Sequence, residues 1–271
     1  MKNTAQAPIG IFDSGIGGLT VARAVKSLLP FERIIYFGDT AHLPYGDKST
    51  AAIQAYSIKI ADVLLQARCK MILIACNSAS AAAYDLVKAY VASKAHVFNV
   101  IDPVIHYLRE HHPGERVGLI GTKQTVNSGV YLRKVNELEA GIELRSLATP
   151  LLAPMIEEGF HLKEISEDII ASYLDQPELN GTKALVLGCT HYPLIKEQIK
   201  GFYKGEMDVI DSSETVAHAV KAFLEYHQMT ARQKSAEEDS FLVSDYTQSF
   251  ENTTKLFFGK QVHLQKYPLW E

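Results

Sequence analysis

The sequence predicts an α/β protein with two similar three-layer domains, each with a mainly parallel sheet, and a functional site in the cleft between them. Short β-branched or apolar runs alternate with helical patterns, which is typical of βαβ units. Runs such as "MILIA" (71–75) and "ALVLG" (184–188) are continuously apolar, as in strands that are covered on both faces. The strand ends near Asp13 and Cys76 recur, at a similar spacing, at Thr122 and Cys189, which indicates two halves of like topology.

The first half of the chain begins with the apolar run "IGIF" and continues as an alternation of strands and helices. Runs rich in isoleucine, valine and phenylalanine predict strands at 9–12, 33–39, 71–76 and 97–101. Apolar residues at helical spacing predict helices at 19–29, 49–67 and 80–92. Open α/β sheets bind ligands at the carboxyl ends of their strands, so the residues that follow these strands are candidates for the site.

The second half of the chain repeats this alternation. Strands are predicted at 117–122, 142–150, 183–189 and 208–212, and helices near 125–139, 163–175, 192–203 and 214–227. The polar segment 228–239 predicts a surface loop. A final strand–helix–strand unit is predicted at 240–246, 247–258 and 261–267.

Length and composition bound the class of protein. The chain has 271 residues, which suffice for two domains, and a formal net charge of -4, which gives no broad basic surface for nucleic acid. The N-terminus lacks the apolar segment of a secretory signal, and no apolar run has the length of a membrane span, so we expect a cytoplasmic protein. Three cysteines, an odd number, argue against a disulfide framework.

The segment "FDSGIGGLTV" (12–21) predicts a strand, a glycine-rich turn and a helix start. Thr20 occupies the position of the third glycine of a dinucleotide fingerprint, and no P-loop lysine is present, so a nucleotide site is disfavoured. A small zwitterion fits better. Backbone N–H groups at the helix start and the Ser14 hydroxyl can hold a carboxylate, and Asp13 can accept from an ammonium group or act on a neighbouring thiol. The alternative is that Asp13 and Ser14 only cap the helix.

Cys76 and Cys189 each end a predicted strand and enter a polar turn, whereas Cys69 has no polar companions after it and is expected to pack as a small apolar residue. A helix start or a nearby imidazole lowers the pKa of a thiol. A redox pair would favour C-x-x-C spacing, which is absent, and a cysteine hydrolase needs one nucleophile. Two thiols with His191 could gather a metal, although no paired-ligand spacing supports one. Two acid–base groups on opposite faces of a carbon suit inversion of a stereocentre.

Four motifs, "FDSGIGGLTV", "DTAHLPYGDKS", "ACNSAS" and "LGCTHYPL", together resemble those of bacterial glutamate racemases, in the same order between residues 12 and 194. The resemblance implies a racemase that interconverts L- and D-glutamate without pyridoxal phosphate, metal or other cofactor and supplies D-glutamate for peptidoglycan. It implies one α/β domain formed by residues 1–100 plus the returning segment 214–271, a second formed by 101–213, and a homodimer.

The resemblance also implies roles for single residues. Cys76 would act on D-glutamate with Asp13 beside it, and Cys189 on L-glutamate with His191 and Glu157. The neighbouring Glu158 leaves the glutamate assignment open. Ser78 stands where the family commonly has threonine, and keeps the hydroxyl. The positions that match substrate contacts are Asp13, Ser14, Pro44, Tyr45, Gly46, Cys76, Asn77, Ser78, Thr122, Cys189, Thr190 and His191.

Other interpretations stay open at this point. "PYG" (44–46) can be only a tight turn, since proline and glycine are turn residues for steric reasons. The chain can be another racemase of the superfamily, for aspartate or hydantoins, or a related decarboxylase, although the decarboxylases need one thiol only. From other classes, it can be a binding protein that holds glutamate without turning it over, or a metal-binding protein.

Overall fold

A computed structural model describes residues 5–271 and contains two parallel sheets. The first sheet has six strands in the order β10-β9-β2-β1-β3-β4, and the second has four in the order β6-β5-β7-β8. Helices separate the strands along the chain, so the predicted α/β class with mainly parallel sheets is confirmed. The strands are β1 (Ile9–Asp13), β2 (Ile34–Gly38), β3 (Met71–Ile74), β4 (His96–Asn99), β5 (Arg116–Gly121), β6 (Glu143–Ala148), β7 (Ala184–Gly188), β8 (Asp208–Asp211), β9 (Ser240–Val243) and β10 (Leu264–Lys266).

Eleven α-helices occur among the described residues, and most follow the sequence prediction. Short 3-10 helices add single turns, among them Tyr45–Asp47 and Tyr192–Ile195. The helices are α1 (Leu19–Leu28), α2 (Thr50–Gln66), α3 (Asn77–Val91), α4 (Ile101–His111), α5 (Lys123–Asn127), α6 (Val130–Glu137), α7 (Leu152–Glu157), α8 (Ile165–Leu174), α9 (Lys196–Phe202), α10 (Ser212–Tyr226) and α11 (Gln248–Phe258).

Several helix predictions need correction. The sequence did not predict α4 or α7, which each contain a proline near the start, where a helix tolerates the missing N–H group. The predicted helix 125–139 is two helices, α5 and α6, because Gly129 between them adopts a left-handed conformation with φ of 65°. The predicted helix 192–203 begins as a 3-10 turn before α9.

The C-terminal segment returns to the first sheet. β9 pairs in parallel with β2, and β10 pairs with β9, so the sheet that begins the chain also ends it. The second sheet is formed by β5 to β8 alone. The division of the chain into domains at residues 100 and 213 stays a prediction. The strands β1 and β3 are central in the first sheet, and β5 and β7 in the second, so a ligand site is expected at the carboxyl ends of these four strands.

A buried ion pair anchors the chain behind the first sheet. Lys70 precedes β3, and its Nζ lies 2.6 Å from Oε2 of Glu32, with both side chains almost fully buried. Lys70 also donates to the carbonyl oxygen of Met229 at 2.8 Å, while Glu32 accepts from the backbone N–H of Ala231 at 2.7 Å. The pair therefore ties the segment after α10 to the first sheet. Across residues 5–271, no helix is long and apolar enough to cross a membrane.

Candidate active site

A cavity of about 200 Å³ lies at the carboxyl ends of the two sheets and is lined by both thiols that the sequence singled out. β3 ends at Ile74, two residues earlier than predicted, so Cys76 is the N-cap of α3, and its Sγ accepts from the backbone N–H of Ala79 at 3.4 Å. Cys189 directly follows β7. The cavity is lined by Ser14, Gly15, Leu43, Pro44, Tyr45, Gly46, Cys76, Asn77, Ser78, Thr122, Ala153, Pro154, Glu157, Gly188, Cys189, Thr190 and His191.

Asp13 stands behind the cavity wall at the end of β1 and is fully buried. Its Oδ2 accepts from the backbone N–H groups of Gly15 at 3.1 Å and Gly18 at 3.0 Å. From the sequence, the N–H groups of this turn are expected to hold a ligand carboxylate. That expectation is wrong for the N–H groups of Gly15 and Gly18, because both donate to Asp13. The helix-capping alternative is wrong as well: Gly18 is the N-cap of α1, without a side-chain cap, and the Ser14 hydroxyl lies 3.7 Å from Sγ of Cys76.

A chain of three side chains begins at the second thiol and ends at a carboxylate that lines the cavity. Nδ1 of His191 lies 3.5 Å from Sγ of Cys189, and Nε2 lies 2.8 Å from Oε1 of Glu157. Glu157 is the last residue of α7, and the neighbouring Glu158 is exposed to solvent. The question that the sequence left open is thereby answered: Glu157 is the carboxylate at this cavity.

The side-chain amide of Asn77 is oriented by a residue that sequence reasoning missed. The hydroxyl of Tyr131, on α6, donates to Oδ1 of Asn77 at 2.7 Å. The Nδ2 group of Asn77 is buried and has no partner among residues 5–271. Because the amide oxygen is engaged, Nδ2 is left as a free donor beside the cavity. No signal in the sequence marks Tyr131, because it lies 54 residues after Asn77 and outside the motifs.

The loops of the two halves touch closely around the cavity. A Cβ atom at Gly17 would lie 2.6 Å from Oγ1 of Thr190 and would also overlap the ring of His191. A Cβ atom at Gly46 would lie 2.9 Å from Cβ of Thr122. Glycine is needed at both positions because any side chain would separate the loops. The hydroxyl of Thr20 adds a hydrogen bond of 2.9 Å to the carbonyl oxygen of Thr190.

This chain resembles known proteins over nearly its whole length. A family model described as Asp/Glu/Hydantoin racemase matches residues 19–220. The chain belongs to this family. The glutamate racemase of Chlorobium phaeobacteroides is 41% identical to it over 260 residues, which are 94% of this chain and 94% of that protein. The predicted family and enzyme class, a racemase among the isomerases, are thus confirmed.

Solved structures of the racemase family share the fold. The crystal structure of glutamate racemase from Francisella tularensis in complex with D-glutamate has a TM-score of 0.91 and 36% identity, and covers 98% of this chain and 99% of that one. The structure of glutamate racemase from Thermus thermophilus in complex with β-chloro-D-alanine has a TM-score of 0.84 and 35% identity, and covers 97% and 98%.

The two thiols of this racemase-family site lie in different electrostatic environments. Burial, and after it the nearby Asp13 carboxylate, raise the pKa of Cys76 to about 12. Burial also raises the pKa of Asp13 itself, against the opposing effects of His191 and the backbone N–H groups. Burial lowers the pKa of His191, but Cys189 and Glu157 outweigh burial, so this pKa lies well above its usual value. Cys189 therefore has a cationic imidazole as its neighbour, with Nδ1 of His191 3.5 Å from its Sγ, whereas Cys76 is held as the thiol.

The structure brings the predicted site residues together, except that Asp13 lies behind the wall instead of lining it. "PYG" is part of that wall, and its last two residues begin a 3-10 helix. Five lining residues were not predicted from the sequence: Gly15, Leu43, Ala153, Pro154 and Gly188. Gly188 could have been predicted because it is next to Cys189, whereas Ala153 and Pro154 belong to α7, a helix that the sequence did not predict. Within residues 5–271, no three His, Cys, Asp or Glu side chains are grouped so that they could hold a metal ion. Cys69 is buried away from the cavity lining, as expected for a packing residue.

Proposed function

We propose that this racemase interconverts L-glutamate and D-glutamate without a cofactor, with Cys76 and Cys189 as its two acid–base groups. The observation that carries the proposal is a cavity of about 200 Å³ lined by two thiols, which come from equivalent strand ends of two different sheets. The glutamate racemase relatives, one of them in complex with D-glutamate, support the substrate.

The unequal environments of the thiols suit a reaction with one base and one acid. For L-glutamate, Cys189 as thiolate removes the α-proton and becomes a thiol. The Cys76 thiol then gives its proton to the opposite face of the α-carbon and becomes a thiolate, which completes D-glutamate. D-glutamate reacts by the same steps in reverse. Each turnover moves one proton from Cys76 to Cys189 by way of the substrate, so Cys189 releases a proton to solvent and Cys76 takes one up before the next L-glutamate reacts.

The carbanion that forms at the α-carbon needs stabilisation from the protein. Donors aimed at the substrate α-carboxylate stabilise the charge that develops there in the transition state. The free Nδ2 group of Asn77 and the hydroxyl groups of Ser14, Ser78 and Thr190 are the available side-chain donors at the cavity. The Ser78 hydroxyl lies 2.9 Å from that of Thr122, so the two halves of the chain form this donor set together.

The direct test uses purified, cofactor-free protein and L-glutamate in heavy water. We expect loss of the circular dichroism signal together with deuterium at the α-carbon, because the returned proton comes from a thiol that exchanges with solvent. Calorimetric binding of glutamate without either change would indicate a binding protein. Deuterium uptake without inversion would mean that one thiol acts alone. If glutamate does not react, aspartate and hydantoins are the next substrates to test.

The Glu157 carboxylate is expected to maintain the protonated form of His191. Replacing Glu157 by glutamine removes a negative charge that raises the pKa of His191, so the imidazole loses its proton at a lower pH. We expect Glu157→Gln to lower kcat/KM about tenfold and to move the alkaline loss of activity to lower pH. The pH profile of kcat/KM measures both effects. Glu158→Gln is the matched control, and an equal effect of the two substitutions would contradict the assignment.

The physiological part of the proposal is a supply of D-glutamate for peptidoglycan by a cytoplasmic homodimer. Its support is the resemblance of the four motifs to bacterial glutamate racemases. The same resemblance supports one domain of residues 1–100 plus 214–271 and another of residues 101–213. Limited proteolysis and sedimentation of the purified protein test the boundaries and the dimer.

A further inference from the structure

A second buried carboxylate lies next to Asp13 and takes no part in the proposed chemistry. Asp39 follows β2, is fully buried, and donates its backbone N–H to the carbonyl oxygen of Asp13 at 3.0 Å. A buried carboxylate is costly unless donors surround it. Asp39 has four side-chain donors, from parts of the chain that are far apart in sequence: His42, Tyr45, Ser244 and Trp270.

Two of these donors come from the C-terminal segment, and the more distant one is the penultimate residue of the chain. The indole N–H of Trp270 donates to Oδ1 of Asp39 at 2.8 Å, and the hydroxyl of Ser244 donates to the same oxygen at 2.7 Å. The Trp270 ring packs edge-on against His42 and Tyr56, with ring centroids 4.5 and 5.3 Å apart. These contacts fix the tail, so the indole N–H is held at the carboxylate.

The other oxygen of Asp39 is bound by a residue of the cavity lining. It accepts from the hydroxyl of Tyr45 at 2.6 Å, and Tyr45 lines the cavity together with Gly46. Gly46 in turn lies against Thr122 of the second half of the chain. The position of this cavity wall therefore depends on where the Asp39 carboxylate is held.

We propose that Trp270 is a positioning residue of the active site: its indole N–H holds Asp39, and Asp39 holds Tyr45 in the cavity wall. The inference rests on the proposed glutamate racemase function, since it assigns the C-terminal tail a part in substrate binding by that site. Trp270 is outside the four sequence motifs and does not line the cavity. Its indole N–H acts through Asp39, while its ring reaches Tyr45 only through Tyr56, which packs against both rings.

The test is Trp270→Phe in the full-length chain. Phenylalanine keeps an aromatic ring for His42 and Tyr56 but removes the donor to a buried carboxylate. Loss of such a donor is expected to raise the KM for both glutamate enantiomers about tenfold, while kcat changes less than about twofold, because the two thiols and their partners are untouched. Glu271→Gln, which removes the ion pair of the same tail with Lys266, is the matched control and should keep the wild-type KM.

A double-mutant cycle tests whether Trp270 acts through Asp39, and thermal unfolding tests whether the variants lose stability. Ser244→Ala removes the second donor to the same oxygen of Asp39, so its effect on KM and that of Trp270→Phe should be coupled, not additive. Thermal unfolding, measured in parallel, ensures that every variant is folded at the assay temperature. A folded Trp270→Phe enzyme with the KM of the wild type overturns the inference, as does an effect on kcat alone. If the wild-type enzyme itself does not racemise glutamate, the proposed function fails, and this inference fails with it.

Discussion

Replacing either Cys76 or Cys189 by alanine is expected to lower racemisation of glutamate by about three orders of magnitude or more, in both directions. Each turnover needs one group to remove the α-proton and another to return a proton from the opposite face. In the proposed mechanism these two groups are the thiols of Cys76 and Cys189, which line the cavity from both halves of the chain. Loss of either one therefore stops inversion, whichever enantiomer is supplied.

The third cysteine provides the matched control for this experiment. Cys69 is also a buried free thiol, but it packs beside Gly10 and Leu64 within the first half, and burial raises its pKa to about 12. Cys69→Ala should keep kcat within about twofold of the wild type, at a small cost in stability. Circular dichroism assays from both enantiomers measure the rates. Full racemisation by Cys76→Ala or Cys189→Ala would exclude the two-base mechanism.

Replacing Lys70 by methionine is expected to lower the free energy of unfolding by about 3–5 kcal/mol. The substitution leaves the Glu32 carboxylate buried without its cation, which lies 2.6 Å away in the native protein. It also removes the hydrogen bond of 2.8 Å that ties Met229 to the first sheet. Burial lowers the pKa of Lys70 and the Glu32 carboxylate opposes that shift, so the charged pair depends on both partners.

Urea unfolding of the variants measures this effect. Lys200→Met is the control, because its ion pair with Glu197 is exposed and should contribute about 0–1 kcal/mol. The double variant Lys70→Met with Glu32→Leu carries no buried charge, so it should recover much of the loss. A Lys70→Met protein as stable as the wild type would show that the pair is not needed to anchor the segment after α10.

The order of the strands and most helices could be predicted from local patterns alone. Continuous apolar runs such as β3 and β7 indicate strands that are buried on both faces, and apolar residues at helical spacing indicate a helix with one buried face. Both patterns can be recognised in the sequence before the fold is known. α4 and α7 were missed because each has a proline at its start and α7 has only six residues, too few to show a period. The pairing of β9 with β2 joins segments about two hundred residues apart, which no local pattern specifies.

The sequence by itself determined the two thiols, the strand ends that carry them and the family, because short-range chemistry and motif order are written along the chain. Only the tertiary structure decided that Glu157, and not Glu158, contacts His191. The two residues are adjacent at the end of α7, where successive side chains point in different directions, and Glu158 is exposed to solvent. The same holds for Tyr131 behind Asn77 and for Trp270 behind Asp39. These partners are distant in sequence and have ordinary local surroundings. Their roles arise because a buried amide or carboxylate must find a donor or acceptor wherever the folded chain supplies one.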